Sequence, residues 1–169
     1  MLAIDRRGVL AISAVLPFAG AAPALAEAAV AGSATGAAWD LTDLYPSWDE
    51  WDAARKGVLA ALPRLKAYKG HLGDSAEAMA KALSDISDVQ KTDARVYVYA
   101  QLAADADLRV AANEARRGQA QDMDAAVSEA TSWVAPEVLA LGKDKVESFI
   151  AASPVLQRHF YFELRDIVR

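Results

Sequence analysis

The sequence contains no cysteine and two histidines, and aromatic residues make up only 8% of its 169 positions. Without cysteine there can be no disulfide scaffold, thiolate-held zinc, iron–sulfur cluster or thiol nucleophile. Positive charge is also scarce, 18 Lys and Arg against 23 Asp and Glu, a formal charge of −5. That balance argues against a nucleic-acid partner, because phosphate binding needs a basic face. Few β-branched runs occur. What is abundant is alanine, the residue helices tolerate best, and it inflates the hydrophobic share to 54%. The composition therefore predicts an all-α protein. The length suffices for one domain with a tail, and a core of that size folds without covalent staples.

The first 26 residues are a different kind of sequence. A short basic start carries Arg6-Arg7, an apolar run extends from Val9 to about Leu25, and Ala24-Leu25-Ala26 offers a small-x-small site for cleavage after Ala26. Pro17, Gly20 and Pro23 interrupt that run, and a permanent anchor needs roughly 20 strongly apolar residues. A cleaved signal peptide is expected, so contact with the membrane is transient. The phrase Asp5-Arg6-Arg7-Gly8-Val9-Leu10 resembles a twin-arginine export signal, with a general secretory leader as the alternative. Either route places the mature protein in the periplasm or outside the cell. Removing Asp5, Arg6 and Arg7 with the leader takes the formal charge from −5 to −6. Residues 27–38 (EAAVAGSATGAA) have no apolar face and are expected to form a flexible spacer.

From Trp39 the chain carries helix signals. Ser47-Trp48-Asp49-Glu50 fits a capping box, and Trp48, Trp51, Val58, Leu62 and Leu65 follow at a 3.6 period. Pro63 removes a backbone donor within that run, which predicts a kink or break. Gly70 and Gly73 mark the end. Asp74-Ser75-Ala76-Glu77 is a second capping signal, followed by Met79, Leu83, Ile86 and Val89. The segment Thr92–Ala104 is read as helix with Val96, Tyr99, Leu102 and Ala103 on one side. Its Val-Tyr-Val-Tyr core could instead favour a strand, but it has no flanking turn residues or partner strand. A long helix is expected from about Leu108 to Val134, with Ala120, Met123, Val127, Ala130 and Val134 as its stripe. Pro136 and Gly142 bracket a short piece, and Lys143–Ala151 makes another. Ser153-Pro154 starts a last helix carrying Leu156, Phe160, Leu164 and Ile167 or Val168 inward. No closing glycine, proline or polar tail follows, which suggests truncation. No internal repeat is evident, and the short stripes describe a globular helical bundle.

The residues alone support no catalytic site. His-Glu-x-x-His is absent, as are paired Glu-x-x-His units, Gly-rich phosphate loops and nucleophile elbows. His159 and Glu163 are four apart and could share a helix face, more plausibly as a surface pair than as metal ligands. Asp40, Asp43, Asp49, Glu50 and Asp52 crowd one stretch, and Asp105 and Asp107 another. These carboxylates could meet a cation or a basic peptide, but helix-start electrostatics is the preferred reading. Trp39, Trp48 and Trp51 could form a ligand platform or core packing. Arg116-Arg117 reads as a solvated face.

One stretch is more specific. Trp39-Asp40-Leu41-Thr42-Asp43-Leu44-Tyr45-Pro46-Ser47-Trp48 resembles the opening signature of oligoendopeptidase F-type zinc metallopeptidases, within the thimet-oligopeptidase-like family. Four further phrases follow in family order. These are Leu65-Lys66-Ala67-Tyr68-Lys69-Gly70-His71-Leu72, Tyr97-Val98-Tyr99-Ala100-Gln101-Leu102 with Asp105 and Asp107, Pro136-Glu137-Val138-Leu139-Ala140-Leu141, and His159-Phe160-Tyr161-Phe162-Glu163-Leu164-Arg165. The resemblance implies a helical N-terminal lobe spanning 39–169, flanking a channel in a much longer enzyme that cleaves short peptides. The family holds zinc by His-Glu-x-x-His and a later glutamate. This sequence has no such motif, so no catalytic or metal residue carries over, no cofactor is expected in this chain, and inactivity alone is expected. The implied partners are the remainder of the peptidase and, for the full-length form, short peptides. The alternative reading is a self-standing extracytoplasmic helical binding or scaffold module.

Overall fold

The computed structural model describes residues 39–169. The leader with Arg6, Arg7 and Ala26, and the spacer 27–38, lie outside the described residues. Among the described residues every regular element is helical: α1 Trp48–Lys66, α2 Ala76–Ala106, α3 Ala111–Thr131, α4 Val134–Leu141, α5 Lys143–Ala152, a π-helical turn Leu156–Phe160, and α6 Tyr161–Ile167. The fold is an all-α bundle, and no helix among these is long and apolar enough to cross a membrane.

The helix starts follow local chemistry. Ser47 and Ser75 both hold extended backbone angles, and their hydroxyls accept the N–H groups of Glu50 at 3.3 Å and Ala78 at 3.0 Å. Each satisfies one donor that a helix N-terminus leaves free. At the last start, Ser153 accepts the N–H of Leu156 at 3.4 Å.

Three expectations need correction. Helix α1 does not break at Pro63 but continues to Lys66. Pro63 lies on the exposed side, so the carbonyl it leaves without a donor can be hydrated, while buried Leu65 anchors the final turn. Second, Thr92–Ala104 is not a separate segment, because α2 runs unbroken over 31 residues. Its inward positions are Val96, Tyr99, Ala100 and Ala104, with Leu102 and Ala103 only half-buried. Third, the long helix is shorter than expected at both ends. Its stripe Ala120, Met123, Val127 and Ala130 is buried, whereas Val134 opens α4.

Helices α1, α2 and α3 pack up, down and up. The indole of Trp51 meets the carbonyl of Val96, and Tyr68 meets Asp85, so α1 and α2 are antiparallel. Asn113 reaches the carbonyl of Ala103 at 3.0 Å, which sets α3 antiparallel to α2. Lys66 with Glu129 and Arg116 with Trp48 align α3 parallel to α1. The three later helices cover the end of this bundle where α2 begins. A single core connects them all. Its most enclosed side chains include Trp51, Leu65, Leu72, Met79, Met123, Leu156 and Leu164. Truncating one of these to alanine costs about 2–5 kcal/mol.

Candidate functional site

The opening signature is built as a structural fastener. Asp40 accepts both the backbone N–H of Thr42 at 3.0 Å and its hydroxyl at 2.6 Å, and these bonds hold the carboxyl below its usual range. The turn this makes delivers Tyr45 into the core, where its ring stands edge-on to Tyr99 at 5.6 Å. Trp48 is edge-on to Tyr99 at 4.8 Å and to Trp51 at 5.2 Å. Such edge-to-face geometry matches positive ring edges to negative faces. Arg95 donates to the carbonyl of Leu44 at 2.8 Å and lies 5.3 Å from the Tyr45 ring centre. The three tryptophans therefore do not gather as a platform: Trp51 is buried, Trp48 is half-buried, and Trp39 stands exposed.

Beside this nest runs an open cleft of about 500 Å³ lined by Trp48, Asp52, Arg55, Lys56 and Arg116. Asp52 takes Lys56 at 2.7 Å and Arg55 at 2.8 Å, which lower its carboxyl pKa. Arg116 stacks over Trp48 at 4.1 Å, and Arg117 binds Glu114 at 2.5 Å and lies 3.8 Å from Asp105. The expected solvated arginine face is thus a half-buried, paired surface. In the second acidic stretch, Asp107 accepts from the side chain of Arg109 at 2.9 Å and from its backbone at 3.0 Å, and is held down to about 2. Asp49 and Glu50 occupy the first turn of α1. Asp40, Asp52, Asp105 and Asp107 are thus taken up by local hydrogen bonds and ion pairs.

The turn between α1 and α2 is the second constructed feature. Gly70 adopts φ +88°, a region L side chains rarely enter. Tyr68 turns back onto Asp85, which also binds Lys81 at 2.9 Å. The carboxylate of Glu137, from α4, accepts the N–H of Gly70 at 2.7 Å and that of Leu72 at 2.9 Å. Gly73 lies so close to α4 that a Cβ there would stand 2.6 Å from the Leu141 side chain. Two phrases far apart in sequence are thereby locked together. Sequence reasoning singled out Glu137 only as part of a phrase, and its role as a double acceptor was not legible.

The histidines stay apart. His71 pairs with Asp74 at 2.9 Å in the turn preceding α2, whereas His159 lies beside Ser87 and Lys91, about three helical turns further along. His159 and Glu163 make no ion pair among the described residues. The π-helical turn ending at Phe160 shifts the side-chain register away from the i,i+4 alignment the sequence suggested. No three of His, Asp and Glu among the described residues come close enough to hold a metal ion. A zinc centre does not fit the donors described.

At the other end, the π-helical turn buries Phe160, while α6 buries Leu164 and exposes Phe162 to 85%. Arg165 lies over Tyr161 at 5.3 Å and 3.8 Å from Glu147. These residues border a surface depression of about 490 Å³ with Lys143 and Asp166.

No protein-family model matches the chain. It is, however, similar to bacterial peptidases of the oligoendopeptidase F kind over most of the described region. Oligopeptidase PepF of Bacillus subtilis is 31% identical over 112 residues, 66% of this chain and 17% of that protein. Group B oligopeptidase PepB of Streptococcus agalactiae is 30% identical over 124 residues, 73% of this chain and 21% of that protein. The solved structure of oligoendopeptidase-F from Enterococcus faecium superposes with a TM-score of 0.66 at 29% identity, over 71% of this chain and 24% of that one. A peptidase structure from Chlamydophila abortus gives 0.69 at 25% identity, over 78% and 22%. The resemblance read from the five phrases is thus shown. The chain spans about a fifth of the length of the curated relatives it matches.

Proposed function

We propose that this chain serves as the N-terminal, non-catalytic helical lobe of an exported oligoendopeptidase F-like zinc metallopeptidase that hydrolyses short peptides in its full-length form. The observation that carries the reading is the joint likeness in sequence and fold to oligopeptidases, over a region that uses its matched phrases as packing contacts. The zinc and the water-activating groups would come from sequence beyond these 169 residues, since the described donors do not converge. The lobe's partner in this reading is that catalytic remainder, and exposed apolar side chains such as Phe162 are available to meet it. Export rests on Arg6-Arg7 and the cleavage position after Ala26, with the periplasm or the cell exterior as destination.

The test is direct. The purified full chain, offered an internally quenched short peptide, should release no product with or without a chelator. Robust chelator-sensitive cleavage would overturn the proposal. A second reading, a self-standing helical binding module, draws on the continuous core that links every helix, and it predicts a monomer needing no partner.

A further inference from the structure

Arg116 is held in place by packing but given no carboxylate. Every ion pair among the described residues is made by other side chains. Its guanidinium, half-buried, lies over the indole of Trp48 at 4.1 Å from the ring centre. That indole is itself fixed, edge-on to Trp51 at 5.2 Å and to Tyr99 at 4.8 Å. The Nη1 of Arg116 rests 3.4 Å from Asn113 Oδ1, and the Asn113 amide donates to the carbonyl of Ala103 at 3.0 Å. A stacked guanidinium uses its face on the ring and keeps its N–H donors in the plane, at its edge. Arg116 lines the open cleft of about 500 Å³ beside α1 and α3.

The rest of the cleft carries the same sign. Asp52 is shared by Arg55 at 2.8 Å and Lys56 at 2.7 Å, so one carboxylate meets two cations and leaves a positive charge over. With Asp49 included, the lining holds three cations and two carboxylates, a formal +1 on a chain of −5. One negative charge balances that surplus, whereas a doubly charged anion is opposed by Asp49 and Asp52. A planar carboxylate also matches the parallel donors along a guanidinium edge. On the α3 side, the small exposed side chains of Ala112 and Ala115 leave room for a chain to lie along the cleft.

We propose that this cleft binds a carboxylate carried by a peptide, taken by the in-plane donors of Arg116 with exposed Lys56 as the second cation. The choice of a peptide as carrier rests on the peptidase-lobe reading, whereas the charge and the geometry stand without it. A free C-terminus and an acidic side chain present the same group, and the experiment separates them.

The full chain, isotope-labelled, is titrated with acetyl-trialanine, which has one carboxylate and no cation. The indole N–H of Trp48 and the Nε–H of Arg116 are followed by NMR. Both should shift saturably in the millimolar range, and acetyl-trialanine amide should leave them in place. Arg116→Gln should weaken binding about tenfold or more, and added salt should weaken it in the wild type. An amidated acetyl-Ala-Glu-Ala that shifts the same signals shows that a side-chain carboxylate serves as well, and its silence assigns the site to the chain terminus. Absence of shifts in the wild type would overturn the proposal, as would equal shifts with acid and amide or undiminished binding in Arg116→Gln. Inorganic phosphate bound as tightly as the peptide would overturn it too. If Arg116→Gln fails to fold, the comparison of acid with amide on the wild type decides. None of these readouts involves hydrolysis, so their failure leaves the lobe reading standing, and cleavage by the isolated chain would overturn that reading without touching this site.

Discussion

The carboxylate of Glu137 accepts the backbone N–H of Leu72 at 2.9 Å across 65 positions of sequence, and one residue pair earlier its other oxygen takes the N–H of Gly70. A charged acceptor serving two otherwise free donors makes a strong clamp. Glu137→Ala would leave both donors to water or to nothing, at a cost of about 1–3 kcal/mol. Urea unfolding should show a lowered midpoint with an unchanged slope. Glu137→Gln, which keeps one acceptor oxygen, should recover part of the loss.

Trp51 ties the signature region to α2 through one indole N–H and a nearly fully buried ring. Trp51→Phe removes the donor while keeping most of the apolar volume, and should cost about 1–3 kcal/mol. Trp51→Ala adds a cavity and should cost about 3–5 kcal/mol. Thermal melting of the two variants beside the wild type checks the order. Equal losses would mean that the hydrogen bond, and not the packing, dominates at this corner.

The pH dependence of stability follows from Asp93. Burial first, then the charge of Asp124, push its folded value up to about 6, above the ordinary aspartate range of about 4, so its contribution to stability is fully present below that range and is lost as pH rises through 6. The linked change amounts to about 2–3 kcal/mol at most. Asp107 runs the other way: held near 2, it favours the folded state above the ordinary aspartate range and loses that effect as pH falls toward 2. Asp107 is screened by solvent and contributes little, so the wild-type midpoint should fall from pH 5 to 7.5, while that of Asp93→Asn stays level.

Phe162 separates the two functional readings. It is 85% exposed, and replacing it by serine should change stability by no more than about 0.5 kcal/mol. If the chain is a lobe lacking its partner, light scattering should reveal self-association that Phe162→Ser reduces. A self-standing module predicts a monomer in both cases.

Export can be tested separately. Arg6→Lys together with Arg7→Lys should block translocation through the twin-arginine route, as followed by fractionation of the mature chain. Unchanged export would leave a general secretory leader as the explanation.

What was legible in the sequence was what local chemistry controls. Ser47, Ser75 and Ser153 announced helix starts because a cap acts within three residues. The stripes of Met79, Leu83 and Ile86, and of Met123 and Val127, announced buried faces through their period. Pro63 did not break the helix, because its cost depends on which side of the helix faces water, and that is settled by tertiary packing. Arg116 looked solvated because nothing local reveals that Trp48 will lie beneath it. Asp93 looked like any helical aspartate, since its neighbour Asp124 arrives on the next helix. The peptidase likeness was readable in ordered phrases, whereas their role as contacts between helices emerged only from the fold.

The central claim is that residues 39–169 act as a peptidase lobe and hold no chemistry of their own. A chimera tests it most directly: the matched stretch of Bacillus subtilis oligopeptidase PepF is replaced by the corresponding stretch of this chain. The account predicts a folded chimera that hydrolyses a short quenched peptide, beside an isolated chain that does not. A chimera that melts cooperatively like its parent yet shows no hydrolysis, or an isolated chain that cleaves the peptide, would contradict it.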